Sequence, residues 1–167
     1  MERSTTDILI SGGGVAGLTA AAAFGAAGFR VTIVDPAPPV TTSDAPGSDL
    51  RTTAFLQPAK AFLEEADLWD KLAPHATPLQ VMRIVDVGSE AHVTRDFNAA
   101  DISDQPFGWN LPNWLLRREM VARLSDLPNV DFRSGVGFAT MLARDNGAIV
   151  TLNDGAQVEA QLVIGAD

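Results

Sequence analysis

The spacing of apolar positions changes several times along the chain, and each change marks an element. Ile8 to Ile10 is a short continuous apolar run, the pattern of a strand buried on both faces. From Val15 to Gly28 the spacing becomes helical, with Val15, Leu18, Ala22 and Ala26 on one face and Gly28 where a helix C-terminal glycine belongs. Arg30 to Val34 is a second buried strand, so residues 8–34 read as a right-handed βαβ unit. Pro36 to Ser48 carries four prolines, a glycine and small polar residues, which excludes regular structure. It reads equally as a surface loop and as a loop running beside a ligand.

Asp49 to Ala54 leads into a helix with Pro58 in its first turn and Phe62, Leu63 and Ala66 on its apolar face, extended by Trp69 and Leu72. Leu79–Val87 and Ala91–Phe97 read as two strands around Gly88-Ser89, and Pro106–Pro112 as a third extended piece. Asn113 stands as an N-cap before a helix from Trp114 to Leu124, with Leu116, Met120, Val121 and Leu124 inward. On that helix Arg117 and Arg118 read as exposed residues. Val130–Phe132 is a further strand. Asn146-Gly147 and Asp154-Gly155 are hairpin turns needing positive φ, so Phe138 to about Ala160 is a three-stranded meander. Leu162 to Asp167 is a last buried strand.

Chemistry enters at Asp7–Gly17. Gly12, Gly14 and Gly17 have the G-x-G-x-x-G spacing between a strand and a helix, and Asp35 follows at the end of the second strand. Gly12 permits the tight turn, Gly14 lets a pyrophosphate approach the backbone, and Gly17 lets helix and strand pack closely. The helix N-terminus offers unpaired N–H groups and the positive end of a dipole to a phosphate. Asp35 is placed to accept from ribose hydroxyls. The motif points to a dinucleotide and does not choose between FAD and NAD.

Composition narrows the picture. The net charge of −9 argues against nucleic acid, which needs a basic face. With no cysteine there are no disulfides, thiolate metal sites or thiol nucleophiles. His75 and His92 lack partners at ligand spacing, so no metal site is expected, and no Ser/His/Asp arrangement stands out. The chemistry must then come from a bound cofactor. The polar N-terminus carries no secretory signal and no apolar run reaches about 18 residues, so a cytoplasmic chain that does not span a membrane is expected. From spacing alone Arg51 reads as a solvated loop arginine.

Five stretches together resemble the flavin-dependent aromatic hydroxylases, p-hydroxybenzoate hydroxylase-like flavoproteins, in their ubiquinone-biosynthesis branch. They are Ser11–Leu18, Gly28 and Val31 leading to Asp35, Asp49-x-Arg51-x-x-Ala54 with Leu68-Trp69, Phe107–Asn113 with Leu116, and Leu162–Asp167. The resemblance implies FAD bound non-covalently at Gly12, Gly14, Val15, Ala16, Gly17 and Asp35, a flavin-contacting Arg51, a polar cofactor contact at Asn113, and Asp167 as the aspartate of an Asp-Gly motif. Many members carry glutamate where this chain has Asp35. No residue is assigned general acid or base work.

The implied fold is α/β. A Rossmann-like parallel sheet has the order 130s strand, 30s strand, first strand, 160s strand, with helices on one side, the meander crossing the other, and part of a substrate-domain sheet. The implied organisation is a first FAD-binding part over 1–77, substrate-sheet strands over 78–106 and a second FAD-binding part over 107–167. Members of the family are much longer. The expectation is therefore a truncated N-terminal FAD-binding portion, inactive alone, of an enzyme that uses NAD(P)H and oxygen on a small aromatic, ubiquinone-precursor-like substrate. A homo-oligomer, a C-terminal partner chain and peripheral membrane contact through a lipophilic substrate stay open. So do another flavoenzyme of this fold, such as a halogenase or reductase, and a non-catalytic dinucleotide-binding module.

Overall fold

The computed structural model describes residues 3–88 and 93–167. Its centre is a six-stranded mixed sheet. Strand β1 (Arg3–Ser11) lies between β2 (Val31–Asp35) and the last strand, Gln157–Gly165, and is parallel to both. Helix α1 (Val15–Ala26) makes the crossover from β1 to β2. Strand β3 (Thr52–Leu56) runs directly into α2 (Gln57–Glu65), and the short α3 (Trp69–Leu72) follows. Next come β4 (Thr77–Leu79), β5 (Val81–Asp86), β6 (Val93–Asn98) and β7 (Gly108–Pro112). The chain closes with α4 (Asn113–Ser125), β8 (Val130–Ser134), β9 (Phe138–Arg144), β10 (Gly147–Leu152) and β11 (Gln157–Gly165).

The sheet order is β8-β2-β1-β11-β10-β9, which contains the expected order of the four parallel strands. The meander forms too, turning at Gly147 and Gly155 with positive φ. One difference follows from register. The third strand of the meander and the final strand are a single strand, β11. Its first half pairs antiparallel with β10 while its whole length pairs parallel with β1, from Arg3 opposite Gln157 to Ser11 opposite Gly165.

Side-chain alternation along the parallel strands divides the core. Ile8, Ile10, Val31 and Ile33 meet the helices through Leu18, Ala22, Leu116, Met120 and Leu124. Leu9 and Val34 face the other way and are covered by Val150, Leu152, Val158 and Ala160 of the meander. Each layer thus buries one face of the same sheet, as a two-sided α/β core requires.

Several expectations need correction. On α1 the buried stripe is Gly17, Leu18, Ala21, Ala22 and Gly25, and Ala26 is exposed. Gly25 is in that stripe because a Cβ there would collide with Val130 of β8. Phe62 is 47 % exposed, so Leu63 and Ala66 alone anchor α2 in the core. Asp49–Ala54, read as a lead-in to a helix, runs instead into a strand, Thr52–Leu56, paired with β7. The run Leu79–Val87 is divided at Gln80: Leu79 pairs with Gly108 of β7, whereas Val81 begins a separate ribbon opposite Asn98. In the predicted strand Ala91–Phe97, Ala91 and His92 lie outside the described residues, as does Ser89 of the turn. The β5–β6 ribbon is exposed along its length.

Candidate functional site

The turn from β1 into α1 shows which glycines the fold needs and which it does not. Gly12 sits at φ +117°, a region that favours glycine, with the Ala166 backbone against it. A Cβ on Gly17 would collide with the carbonyl of Gly12, so the helix could not seat on the turn. A Cβ on Gly13 would come within 2.9 Å of the Asp35 Cβ. Gly14 is different. Its φ of −74° and ψ of −179° suit any residue, and nothing lies within 4 Å of where its Cβ would be. Neither backbone nor neighbours require glycine there, so the open space above it is free for a group that approaches the backbone closely.

Gly14 is also the N-cap residue of α1, where no side chain caps the helix and no acidic residue sits in the first turn. The first-turn N–H groups and the positive end of the dipole are therefore available to an anion. The Gly14 end of the helix borders a cavity of about 390 Å³ lined by Gly12 to Gly14, Asp35, Ala37 to Val40, Gly47, Arg117, Ala166 and Asp167. Asp35 ties this wall together: Gly13 N–H donates to Oδ2 at 2.5 Å and Ala37 N–H donates to Oδ1 at 2.7 Å. Each oxygen keeps acceptor capacity for a ligand hydroxyl. The opposite wall is held by Ala166 N–H, which donates to the Ser11 carbonyl at 2.7 Å. The proline-rich loop supplies Ala37 to Val40 and Gly47 to the cavity wall and is otherwise a surface loop.

Of the sequence-predicted residues, Gly12, Gly14, Asp35 and Asp167 meet at this cavity. Gly17 is buried beneath it. Val15 and Ala16 face a separate apolar groove between α1 and α2, of about 900 Å³, which also takes in Phe24, Phe29 and Phe62. Arg51 does not line the cavity. It is 83 % exposed and grips Asp49 with two hydrogen bonds of 2.8 Å.

Asn113 is not the N-cap of α4. Pro112 holds that place without a side-chain cap, and Asn113 is the first helical residue. Its amide is occupied elsewhere: Thr53 Oγ1 donates to Oδ1 at 2.6 Å, and Nδ2 donates to Asp49 Oδ2 at 3.0 Å. Its backbone N–H donates to the Arg51 carbonyl at 2.9 Å. Asp49 is consequently a hub. Hydrogen bonds from Arg51, then from Asn113, hold its carboxyl well below the usual carboxylate range.

The sequence reading missed one residue of the cavity. Arg117 was read as an exposed helix residue, yet its side chain is 24 % exposed and lines the cavity, 3.7 Å from Asp49. Its position one helical turn after Asn113 was the available signal, because residues four apart share a helix face. Among the described residues no three His, Asp or Glu side chains converge as metal ligands.

A family described as FAD binding domain matches residues 5–167. The chain is 35 % identical over 162 residues to the ubiquinone hydroxylase UbiL of Rhodospirillum rubrum, a match covering 96 % of this chain and 37 % of that protein. It is 27 % identical to the 3-demethoxyubiquinol 3-hydroxylase of Escherichia coli, covering 100 % of this chain and 42 % of that one. The fold is similar to that of the flavin-dependent monooxygenase PieE, whose structure is in complex with FAD and substrate. That superposition has a TM-score of 0.75 at 24 % identity and covers 98 % of this chain and 30 % of PieE. The chain spans well under half the length of the relatives it matches.

Proposed function

Because this chain belongs to the FAD-binding-domain family, we propose that it holds FAD with the diphosphate over Gly14 and the α1 N-terminus. Asp35 accepts from the ribose hydroxyls, and Gly12 and Gly17 shape the turn. Asp167, on the opposite wall, faces the middle of the cofactor. Arg51 and Asn113 serve the cofactor through Asp49. The observation that carries the reading is the space over Gly14 at the α1 N-terminus, where neither backbone conformation nor neighbouring atoms require a glycine.

The larger role is the FAD-binding portion of a monooxygenase that hydroxylates an aromatic, ubiquinone-precursor-like substrate. The bound flavin would supply electron transfer from NAD(P)H and activation of oxygen. Residues 1–77 and 107–167 form the FAD-binding parts of that enzyme, and residues 78–106, with the exposed β5–β6 ribbon, contribute to its substrate side. Homology to ubiquinone hydroxylases supports this reading over a halogenase, a reductase or a non-catalytic module. No described helix is long and apolar enough to cross a membrane. A cytoplasmic site of action, with access to a lipophilic substrate at a membrane surface, fits the same reading.

The test is ligand-dependent thermal stability. FAD at 100 times its dissociation constant should stabilise the chain by about 2.7 kcal/mol. Stabilisation by NAD with none by FAD would overturn the assignment.

A further inference from the structure

The meander is the part of the fold that the cofactor reading leaves unused. Its middle strand, β10, covers Leu9 and Val34 with Val150 and Leu152. The chain enters β10 through Asn146-Gly147 and leaves it through Asp154-Gly155. In such pairs the glycine nitrogen can reach the side-chain carbonyl carbon of the residue before it, because glycine has no Cβ to obstruct the approach.

The chain has six asparagines, and five of them are restrained. Asn98 donates to Asp101, Asn110 to Thr52, Asn113 to Asp49, and Asn129 to the carbonyls of Gly25 and Phe29, while Asn153 accepts from the Gly137 N–H. Each of the five is also followed by a residue that carries a side chain. Asn146 is exposed, makes no side-chain hydrogen bond among the described residues, and is followed by glycine. Asp154 is held at both ends of the reaction: its Oδ1 accepts from Ala156 N–H at 2.9 Å, and Gly155 N–H donates to the Leu152 carbonyl at 3.0 Å. Gly147 is the first residue of β10, opposite Arg144 on the exposed edge strand β9. Fraying of that one terminal pair frees its nitrogen.

We propose that Asn146 is a site of spontaneous covalent modification through which this fold ages. The Gly147 nitrogen gives up its proton to water or hydroxide and bonds to Asn146 Cγ. The Cγ–Nδ2 bond breaks and ammonia leaves. Water then opens the cyclic imide at either carbonyl, giving aspartate or an isoaspartate whose backbone runs through the former side chain. No electrons are exchanged. Both products add a negative charge where Asp145 and Glu159 line a cavity of about 230 Å³ with Arg144 as the cation among its described lining residues. Isoaspartate also adds a backbone atom to a turn without slack, since a Cβ on Gly147 would stand 2.5 Å from the Ala160 carbonyl oxygen of β11. β10 must then shift from β11, which loosens the cover over Leu9 and Val34.

The experiment is incubation of the purified chain, wild type and N146Q, in mildly acidic and mildly alkaline buffer. The readouts are peptide mass mapping, methyl transfer by a protein isoaspartate methyltransferase, and the melting midpoint. Wild type should gain acid and isoaspartate at position 146, faster than at any other asparagine, and faster in alkaline buffer because the attacking nitrogen must lose its proton. N146Q should gain neither at that position, since its longer side chain disfavours the ring. Fresh N146Q should melt with fresh wild type. Aged wild type should melt below fresh wild type, and aged N146Q should not. An unchanged residue 146, a gain no faster than at the other five asparagines, or isoaspartate label that persists in N146Q would overturn the site. Modified wild type that melts with the unmodified protein would overturn the consequence for β10.

Discussion

At the scale of single residues, the glycine turn separates what the fold demands from what a ligand demands. Gly12 and Gly17 are fixed by φ and by close packing, so replacing either damages the turn itself. Gly14 has an ordinary conformation and open space beside it. Gly14→Val should therefore leave the fold in place and put a branched side chain where the diphosphate lies. Circular dichroism should match wild type and the ligand-free melting midpoint should fall only as far as the loss of a glycine N-cap, about 1 kcal/mol, requires, while FAD affinity is lost. Unchanged FAD affinity would place the phosphate elsewhere. Gly14→Ala should give a smaller loss, because a single methyl group occupies less of the same space.

At the scale of elements, what was legible in the sequence was what local pattern controls. The apolar runs of β1 and β2, the helical spacing of α1 and α4, and the two Asx-Gly turns fix their elements through burial and backbone preference, whereas the run Leu162–Ile164, expected to be buried, forms the end of β11 with Leu162 exposed. Elements defined by partners far away in sequence were harder to read. Thr52–Leu56 has the β-branched and aromatic residues of a strand, but its pairing residues lie at 108–112. Asn113 has the chemistry of an N-cap, yet Thr53 and Asp49, about 60 positions earlier, claim its amide. Arg117 was hidden for the same reason, since only the fold brings it to the glycine turn.

This long-range junction joins β3 to the start of α4 through Asp49, and it makes a pH-dependent prediction. The folded pKa of Asp49 is depressed, chiefly by the hydrogen bond from Arg51. Its contribution to stability is thus complete above the unfolded value of about 3.9 and is lost as pH falls from there through the folded value. Asp49→Asn should melt below wild type at pH 6, and the gap should narrow as the pH is lowered toward 3. Asp7 and Asp96, whose pKa values are lowered by Arg30 and Arg83, titrate in both proteins and cancel in the comparison. A gap that stays constant with pH would mean that the carboxylate charge of Asp49 does not hold the junction.

At the scale of the whole molecule, the exposed apolar surface is unevenly distributed, and the unevenness is testable. The register of the β5–β6 ribbon puts Met82 opposite Phe97, Ile84 opposite Arg95 and Asp86 opposite Val93 on one face. The other face carries the Arg83–Asp96 ion pair at 2.7 Å, with Thr94 beside it. The first face thus carries four exposed apolar side chains, Met82, Ile84, Val93 and Phe97, beside Arg95 and Asp86, whereas the second carries two, Val81 and Val85, so the first is the more apolar. Among the described residues each ribbon strand is paired only with the other. Free strand edges beside an apolar face invite pairing with another chain. The isolated polypeptide should self-associate, with a sedimentation coefficient that rises with loading concentration. Ile84→Lys puts a charge on the apolar face and should shift the equilibrium toward monomer. Thr94→Lys, on the less apolar face of the same ribbon, should shift it less. A monomer at all concentrations would show that this face does not drive association, and an equal response to both substitutions would show that net charge, rather than the apolar face, controls it.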